Sequence, residues 1–221
     1  MAKVGVVLSG CGVFDGAEIH EAVLTLLALD RRGAEAVCMA PNVDQAHVIN
    51  HLAGQEAAGE RRNVLVEAAR IARGNIRDIV TVQAAELDAL MFPGGFGAAK
   101  NLCDFAFKGK DCQVHPEVAR LVRQMHQAGK PIGAVCIAPA LLARVMGQDH
   151  VAARLTIGTD PGTAGQITAM GGVHVACPVT GFVVDKEHRL VSSPAYMLGQ
   201  RISEVAEGID KAVEALLDLA G

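Results

Sequence analysis

The sequence predicts a single α/β domain whose mostly parallel sheet is covered by helices on both faces. Strand-like and helix-like segments alternate along the chain, which is typical of parallel sheets with crossover helices. The 221 residues suffice for one domain of ordinary size, so we expect one domain over residues 1–221. Hydrophobic residues make up 51% of the chain and aromatic residues only 3%, so we expect a sizeable core that is mainly aliphatic.

The first half of the chain contains four predicted strands and two predicted helices. Short apolar runs indicate the strands, and the last run leads into a Pro-Gly-Gly turn. Apolar residues of the first helix recur on one helical face, and Gly33 ends this helix. In chain order, the elements are a strand at 4–8, a helix from 19, a strand at 36–39, a helix at 64–72, and strands at 79–82 and 87–92.

The second half of the chain contains three predicted helices, one clear strand and a stretch that is harder to assign. In chain order, the elements are a helix with apolar residues at 118, 121, 122 and 125, a strand at 131–135, a helix at 139–146, short strands with glycine-rich turns over 155–185, and a helix with apolar residues from 202 to 217. We expect Tyr196, the only tyrosine, to pack where the last helix begins.

The charge balance argues against several classes of partner. The chain has 20 Lys and Arg against 24 Asp and Glu, which gives a net charge of −4, and it has no basic block. A mildly acidic chain of this kind is a poor match for nucleic acid or for an anionic membrane, and too few aromatic residues are present to stack on single strands. Because no targeting segment is visible, we expect a cytoplasmic protein.

The six cysteines are scattered and include no Cys-x-x-Cys pair. In a reducing compartment we expect all of them to be free thiols. The nearest approaches to metal-ligand spacing are His47 with His51 and Cys112 with His115, and neither has a second pair nearby to complete four ligands. We therefore expect no metal site.

Cys136 follows the predicted strand at 131–135 and stands just before a predicted helix. A residue on such a strand-to-helix turn is pushed into the pocket, as the serine of a nucleophile elbow is. The helix N-terminus favours the thiolate, so we expect a nucleophilic Cys136 with a lowered pKa. The alternative is a buried cysteine that packs as a small hydrophobic residue.

Glu18 and Glu21 lie in the first turns of the helix that follows the first strand. They are three residues apart and share a helical face, whereas His20 points elsewhere. We interpret Glu18 mainly as a partner of the helix dipole. Glu21 stands on the core side, where burial raises the pKa of a carboxyl, so it is a candidate proton donor or shuttle for a nearby thiol.

The turn at 93–97 has the sequence Pro-Gly-Gly-Phe-Gly and follows another strand. Paired glycines let the backbone approach a ligand closely and direct N–H groups at it. The amides of Gly94 and Gly95 could form an oxyanion hole with the amide of Ile137, the residue after the cysteine. One alternative is a phosphate-binding loop, although neither the Walker residues nor the full G-x-G-x-x-G spacing is present. The other alternative is a plain tight turn.

Four residues are weaker candidates for the pocket, and Glu18 is one of them. Cys11 lies on the first loop and is either a redox-active bystander or structural filler. His20 and Asn101 could line the pocket.

Three motifs resemble the PfpI/ThiJ superfamily of flavodoxin-like, class I glutamine amidotransferase-like domains. They are DALMFPGGFGAAKNL at 88–102, the Val-Cys pair that ends at Cys136, and the helix start GAEIHE at 16–21. Five stretches are similar, more specifically, to the glyoxalase ElbB family, also called enhancing lycopene biosynthesis protein. They are LSGCGVFDG at 8–16, IHEAVLT at 19–25, VINHL at 48–52, QMHQAGKP at 124–131 and LTIGTD at 155–160. This resemblance runs from Lys3 to Leu217 and implies a flavodoxin-like fold.

The resemblance also implies roles for individual residues. The superfamily's nucleophilic cysteine matches Cys136, and the protonated glutamate that hydrogen-bonds its thiolate matches Glu21. The oxyanion glycines match Gly94 and Gly95. Many relatives carry a histidine a short distance after the cysteine, but the corresponding loop here reads Thr-Ile-Gly-Thr-Asp-Pro. A Cys–His–acid mechanism is therefore in doubt, and we expect Asp160 to bond local backbone amides in a turn instead of replacing the histidine.

The resemblance implies a cofactor-independent glyoxalase that converts glyoxal or methylglyoxal into glycolate or lactate. Cys136 would form a hemithioacetal, Glu21 would move a proton between the two carbons, and water would release the product from a thioester. Neither metal nor glutathione is required, and we expect a small dicarbonyl substrate and a homodimer. Two alternatives stay open: a cysteine-based redox sensor or regulatory binding protein linked to isoprenoid metabolism, and an amidotransferase-like subunit that needs a synthase partner.

Overall fold

Eleven strands and eight α-helices make up the computed structural model, which describes residues 1–221. The strands are β1 (Lys3–Val7), β2 (Glu35–Ala40), β3 (Ile49–Asn50), β4 (Gln55–Glu56), β5 (Arg77–Asp78), β6 (Ala89–Phe92), β7 (Ile132–Val135), β8 (Arg154–Leu155), β9 (Val173–His174), β10 (Val183–Asp185) and β11 (Leu190–Ser193). The helices are α1 (Ile19–Arg31), α2 (Val64–Ile71), α3 (Phe96–Lys100), α4 (Phe105–Lys108), α5 (Pro116–Gln127), α6 (Pro139–Gln148), α7 (Pro161–Ala169) and α8 (Ile202–Ala220).

Seven strands form the central sheet, in the order β10-β11-β7-β6-β1-β2-β5. All neighbours in this sheet are parallel except β10 and β11. The parallel core β2-β1-β6-β7-β11 has the flavodoxin-like strand order, which reverses between β1 and β6. The predicted α/β class and the doubly wound, mostly parallel sheet are therefore confirmed. The other strands form two small pairs, β3 with β4 and β8 with β9.

Helices cover both faces of the sheet, as predicted. Side chains alternate between the faces along a strand, so Leu90 and Phe92 of β6 pack with α5 and α6, whereas Ala89 and Met91 pack with α1 and α8. Phe92 is the only aromatic residue among the buried hydrophobic ones, so the core is aliphatic, as expected. No helix in the structure is both long enough and apolar enough to cross a bilayer.

The strand predicted at 79–82 is wrong. This segment begins with the 3-10 helix Ile79–Thr81, and the edge strand β5 lies just before it. The carboxylate of Asp78 accepts the N–H of Val80 and so caps the 3-10 turn. This local bond between side chain and backbone competes with the extended conformation that the apolar residues favour.

Helix α7 is absent from the sequence-based prediction, which has only short strands and turns at 155–185. Its apolar residues form no continuous stripe, because only Ile167 is buried. A start signal is nevertheless present, since Asp160 caps the helix and Pro161 is its first residue. The Asp-Pro pair interpreted above as a turn is thus a helix start.

Candidate active site

The candidate site lies at the carboxyl edge of the sheet, where several chain segments meet. Ligands of open α/β sheets bind at this edge, next to the point where the strand order reverses. The residues brought together are Cys136 after β7, Gly94 and Gly95 after β6, Glu21 on the helix after β1, and Tyr196 after β11. The sequence predicts the first four of these as site residues.

Cys136 occupies the sharp turn between β7 and α6. Its φ of 61° lies in the left-handed region, which costs a non-glycine residue about 1–2 kcal/mol. Its N–H donates to the carbonyl of Ser193 over 3.0 Å, which fixes the turn to β11. The side chain is 7% exposed and lines a cavity. This strained strand-to-helix turn is the elbow geometry that the sequence predicts.

Glu21 is fully buried, and groups from distant parts of the chain hold its carboxyl. Oε2 accepts the N–H of Gly94, and Oε1 accepts the N–H of Tyr196, both over 3.0 Å. The same carboxyl interacts with the thiol of Cys136, and each of the two groups shifts the pKa of the other. Glu21 therefore lies on the core side of α1, as predicted, and directly beside the sulfur.

Burial controls the proton affinity of this Cys136–Glu21 pair. Removal from water raises the pKa of Glu21 from 4.5 to about 7, although the N–H groups of Tyr196 and Gly94 oppose the shift. Burial, and then the charge of Glu21, raises the pKa of the Cys136 thiol well above its ordinary value. The lowered pKa predicted for Cys136 is wrong, because burial outweighs the effect of the helix N-terminus. The two groups therefore titrate as one coupled pair.

This raised pKa should make the stability of the fold depend on pH in a way that Glu21→Gln removes. Glu21 binds its proton more tightly in the folded state, so its contribution is fully present below pH 4.5 and is lost as pH rises through about 7. The slope is at most about 1.4 kcal/mol per pH unit for one group. We expect urea unfolding to show that Glu21→Gln gains stability relative to the parent across this range. If the difference in free energy of unfolding between Glu21→Gln and the parent stays constant with pH, Glu21 has an ordinary pKa.

Gly94 and Gly95 are required because their turn approaches the pair so closely. A Cβ on Gly94 would lie 2.3 Å from the Cβ of Cys136 and 2.6 Å from Oε2 of Glu21. Gly95 has a φ of 94°, and a Cβ there would lie 2.3 Å from the backbone nitrogen of Glu18. The turn therefore has no room for a side chain at either position.

The backbone N–H groups predicted for the oxyanion hole fall into two sets. Those of Gly95 and Ile137 lie close to the sulfur of Cys136 and act to lower its pKa, so they lie beside any atom that becomes bonded to it. The N–H of Gly94 donates to Glu21 instead. Gly94 thus positions the carboxyl, and only the other two amides face the space where an oxyanion would form.

A cavity of about 430 Å³ opens beside the sulfur, a size that is common for small-molecule sites. Its walls are mainly apolar and include Phe96, Phe105 and Met197. Glu18 and Thr163 add polar groups, and no lysine, arginine or histidine contributes to the lining. The apolar wall residues come from loops and short helices of different elements, and the sequence carries no local signal that groups them.

Glu18 both caps α1 and lines the cavity. Its Oε2 accepts the N–H of Glu21 over 2.7 Å, as expected for a carboxylate at a helix N-terminus. Only 8% of the residue is exposed, yet it reaches the cavity wall. Glu18 therefore gives the cavity an acidic group next to the reactive pair.

Tyr196 is the site residue that the sequence-based prediction misses most clearly. It lies in a 3-10 turn and not at the start of α8, which begins six residues later at Ile202. Its N–H donates a hydrogen bond to the carboxyl of Glu21, and its hydroxyl lies 2.7 Å from Nδ1 of His20. His20 is exposed and does not line the cavity, so the prediction that it does is wrong; it contacts only the hydroxyl of Tyr196, which is a lining residue.

Cys11 and Asn101 do not line the cavity, contrary to the prediction. The side-chain amide of Asn101 donates to the carbonyls of Ser9 and Asp15, and its Oδ1 accepts the N–H of Ala46. The buried side chain of Asn101 therefore links loop segments of the chain by hydrogen bonds. Cys11 is half-buried on the first loop.

Known proteins resemble this chain over its whole length. A Homo sapiens protein named glutamine amidotransferase-like class 1 domain-containing protein 3, mitochondrial, is 48% identical, over 100% of this chain and 84% of the human protein. A Rattus norvegicus protein named ES1 protein homolog, mitochondrial, is 46% identical, over 100% of this chain and 85% of the rat protein. The crystal structure of an isoprenoid biosynthesis protein with an amidotransferase-like domain from Ehrlichia chaffeensis is 41% identical, with a TM-score of 0.93 over 100% of both chains.

The names of these relatives contradict the cytoplasmic location predicted from the sequence. Both curated relatives are named as mitochondrial proteins. The prediction is wrong because it rested only on the lack of a recognisable targeting segment.

The family comparison agrees with the geometry of the site. The model of the DJ-1/PfpI family matches residues 11–193, which include Glu21, the Gly94–Gly95 turn and Cys136. These are the residues that meet at the carboxyl edge of the sheet. The chain therefore belongs to the DJ-1/PfpI family.

Proposed function

We propose that this protein is a cofactor-independent glyoxalase that converts glyoxal into glycolate and methylglyoxal into lactate. The observation that carries the proposal is the buried carboxyl of Glu21, whose pKa of about 7 lets it hold and release a proton near neutral pH beside the sulfur of Cys136. A general acid or base works best when its pKa lies near the working pH. The resemblance to the glyoxalase ElbB family supports the same assignment.

The first step is addition of the sulfur to an aldehyde carbon. When the pair has lost one proton, Glu21 is a carboxylate beside the thiol of Cys136, and it takes the thiol proton as the sulfur attacks. The carbon–sulfur bond forms as the carbonyl π bond breaks, and the oxygen takes the negative charge. The N–H groups of Gly95 and Ile137 beside the sulfur stabilise this oxygen. Glu21 then gives its proton to the oxygen, and a neutral hemithioacetal and a Glu21 carboxylate result.

The second step moves a proton between the two carbons. The Glu21 carboxylate takes the proton from the carbon bonded to sulfur, while the hydroxyl on that carbon passes its proton to the neighbouring carbonyl oxygen, which gives an enediolate. Glu21 returns its proton to the second carbon, and the negative oxygen on the first carbon re-forms its carbonyl bond, which gives a thioester. Water then cleaves the thioester and restores the thiol. One carbon is oxidised as its neighbour is reduced, so the reaction needs no external oxidant or reductant.

An amidotransferase reaction fits the geometry less well. The human relative is named as amidotransferase-like, but no histidine lines the cavity beside Cys136. The loop at 156–161 supplies Asp160, whose Oδ2 caps α7 by accepting the N–H of Thr163. The base that a Cys–His mechanism requires is therefore missing from the site.

Asp160 offers a direct check on this point. Because its carboxylate is committed to the cap of α7, we expect folded Asp160→Ala to convert glyoxal at nearly the parent rate. Glycolate formation in steady state measures this. If Asp160→Ala lost as much glycolate formation as a Cys136 variant, Asp160 would have taken the catalytic role of the missing histidine.

Turnover of glyoxal by the purified protein tests the proposed function. The protein is treated with a chelator and assayed without glutathione, and glycolate is quantified by NMR. We expect many glycolate molecules per protein chain, at a rate well above that of free N-acetylcysteine at the same concentration. Modification of Cys136 without turnover would overturn the glyoxalase proposal and favour the redox or regulatory alternative.

A further inference from the structure

We propose that the preferred substrate is an uncharged α-oxoaldehyde that carries an apolar substituent of about the size of a phenyl ring, and not glyoxal itself. This inference rests on the proposed function and adds the substrate class. It follows from the size, walls and charge of the cavity beside Cys136.

The cavity is much larger than the reaction itself requires. Its volume of about 430 Å³ lies within the range of sites that enclose whole small-molecule ligands. Glyoxal consists only of its two aldehyde groups, so it would leave most of this space filled with water. A substituent on the second carbonyl would occupy that space.

The walls of the cavity favour an apolar substituent. Phe96 directly follows the Gly95 amide that faces the reactive centre, and Phe105 and Met197 complete the apolar wall. Phe96 is 49% exposed, so a bound apolar group would remove part of its ring from water. Burial of apolar surface contributes roughly 25 cal/mol per Å², and glyoxal has no such surface to bury.

The charges at the cavity argue against an anionic substituent. No cationic side chain lines the cavity, whereas the carboxylate of Glu18 does. A phosphate or carboxylate on the substrate would therefore lose its water shell without gaining a partner, next to a like charge. The hydroxyl of Tyr196 is already paired with His20.

Binding of the substituent should raise kcat/KM, because enzymes use contacts with remote groups to stabilise the transition state. When two substrates differ by one methylene that binds in an apolar pocket, their kcat/KM values differ by about 10- to 200-fold. We expect kcat/KM for phenylglyoxal to exceed that for glyoxal by at least about 10-fold, with methylglyoxal between them. The products quantified are mandelate, glycolate and lactate.

A labelling experiment measures the same preference without turnover. Bromoacetone and phenacyl bromide differ only in a methyl or phenyl group, and each alkylates a thiol as bromide leaves. Mass spectrometry gives the rate at which Cys136 reacts with each, and each rate is divided by that of N-acetylcysteine. We expect this normalised rate to be at least about 10-fold higher for phenacyl bromide than for bromoacetone.

Two variants of α4 locate the preference in the cavity. Phe105 lines it, whereas the exposed Phe107 on the same short helix does not. We expect Phe105→Ala to reduce the phenyl-to-methyl labelling ratio several-fold, and Phe107→Ala to leave it unchanged. A ratio near one in the parent protein, or equal ratios in the two variants, would overturn the inference.

The two assays separate failure of the inference from failure of the proposed function. Absence of turnover with every dicarbonyl would overturn the glyoxalase function, while the labelling ratio would still report on the cavity. Turnover of glyoxal at least as efficient as that of phenylglyoxal would leave the function intact and overturn only the substituent preference.

Discussion

Replacing Cys136 with serine is expected to reduce glyoxal turnover to the rate measured without protein. A serine hydroxyl keeps nearly the same shape but ionises far less readily than a thiol, and Glu21 is too weak a base to activate it. Removal of a catalytic nucleophile lowers kcat by about 10⁶-fold in a well-studied protease. Glycolate formation by folded Cys136→Ser measures the effect.

A second cysteine variant separates the nucleophile from incidental thiol reactivity. Cys177 is also buried, and burial raises the pKa of its thiol, but it does not line the cavity. We expect Cys177→Ser to keep the parent rate. If Cys136→Ser retained substantial turnover, the covalent mechanism would be wrong.

Glu21→Gln is expected to lower kcat/KM for glyoxal by about 10²- to 10⁴-fold, the usual contribution of a general acid or base. The amide keeps the shape of the carboxyl, and its oxygen can still accept an N–H bond from Gly94 or Tyr196. It cannot, however, exchange a proton with the substrate. The variant should therefore add to an aldehyde more slowly and fail to move the proton between the carbons.

Two other carboxyl variants act as controls for Glu21→Gln. Glu67→Gln removes a buried carboxyl of α2 that pairs with Arg70 and lies outside the cavity, so we expect the parent rate. Glu18→Gln keeps an oxygen that can cap α1, so we expect a much smaller loss than for Glu21→Gln. If Glu21→Gln turned over glyoxal at the parent rate, Glu21 would have only a structural role and would not transfer the proton.

The parts of the fold that the sequence predicts are those whose signal is local. Apolar residues recur with helical spacing in α5, where five residues are buried on one face, and the helix lies where this periodicity predicts it. In contrast, α7 buries only Ile167, so periodicity cannot reveal it. The segment at 79–82 has strand-like residues, but the short-range bond from Val80 to Asp78 decides its conformation.

The same distinction holds for the candidate site. Cys136 and the paired glycines are predictable because a turn after a strand is a local feature. Tyr196 is not, since its contact with Glu21 joins positions 175 residues apart. The sign of the Cys136 pKa shift also depends on long-range packing, because burial by distant segments outweighs the local helix N-terminus.

The titration of Glu21 tests the central claim most directly. Infrared spectroscopy shows the carbonyl band of a protonated carboxyl, and the band of Glu21 is the one that Glu21→Gln lacks. We expect this band to disappear with a midpoint of about pH 7, and glyoxal turnover to rise with pH over the same range, because the pair must lose one proton before Cys136 can attack. A Glu21 that loses its proton near its ordinary value of 4.5 would contradict the proposed proton transfer.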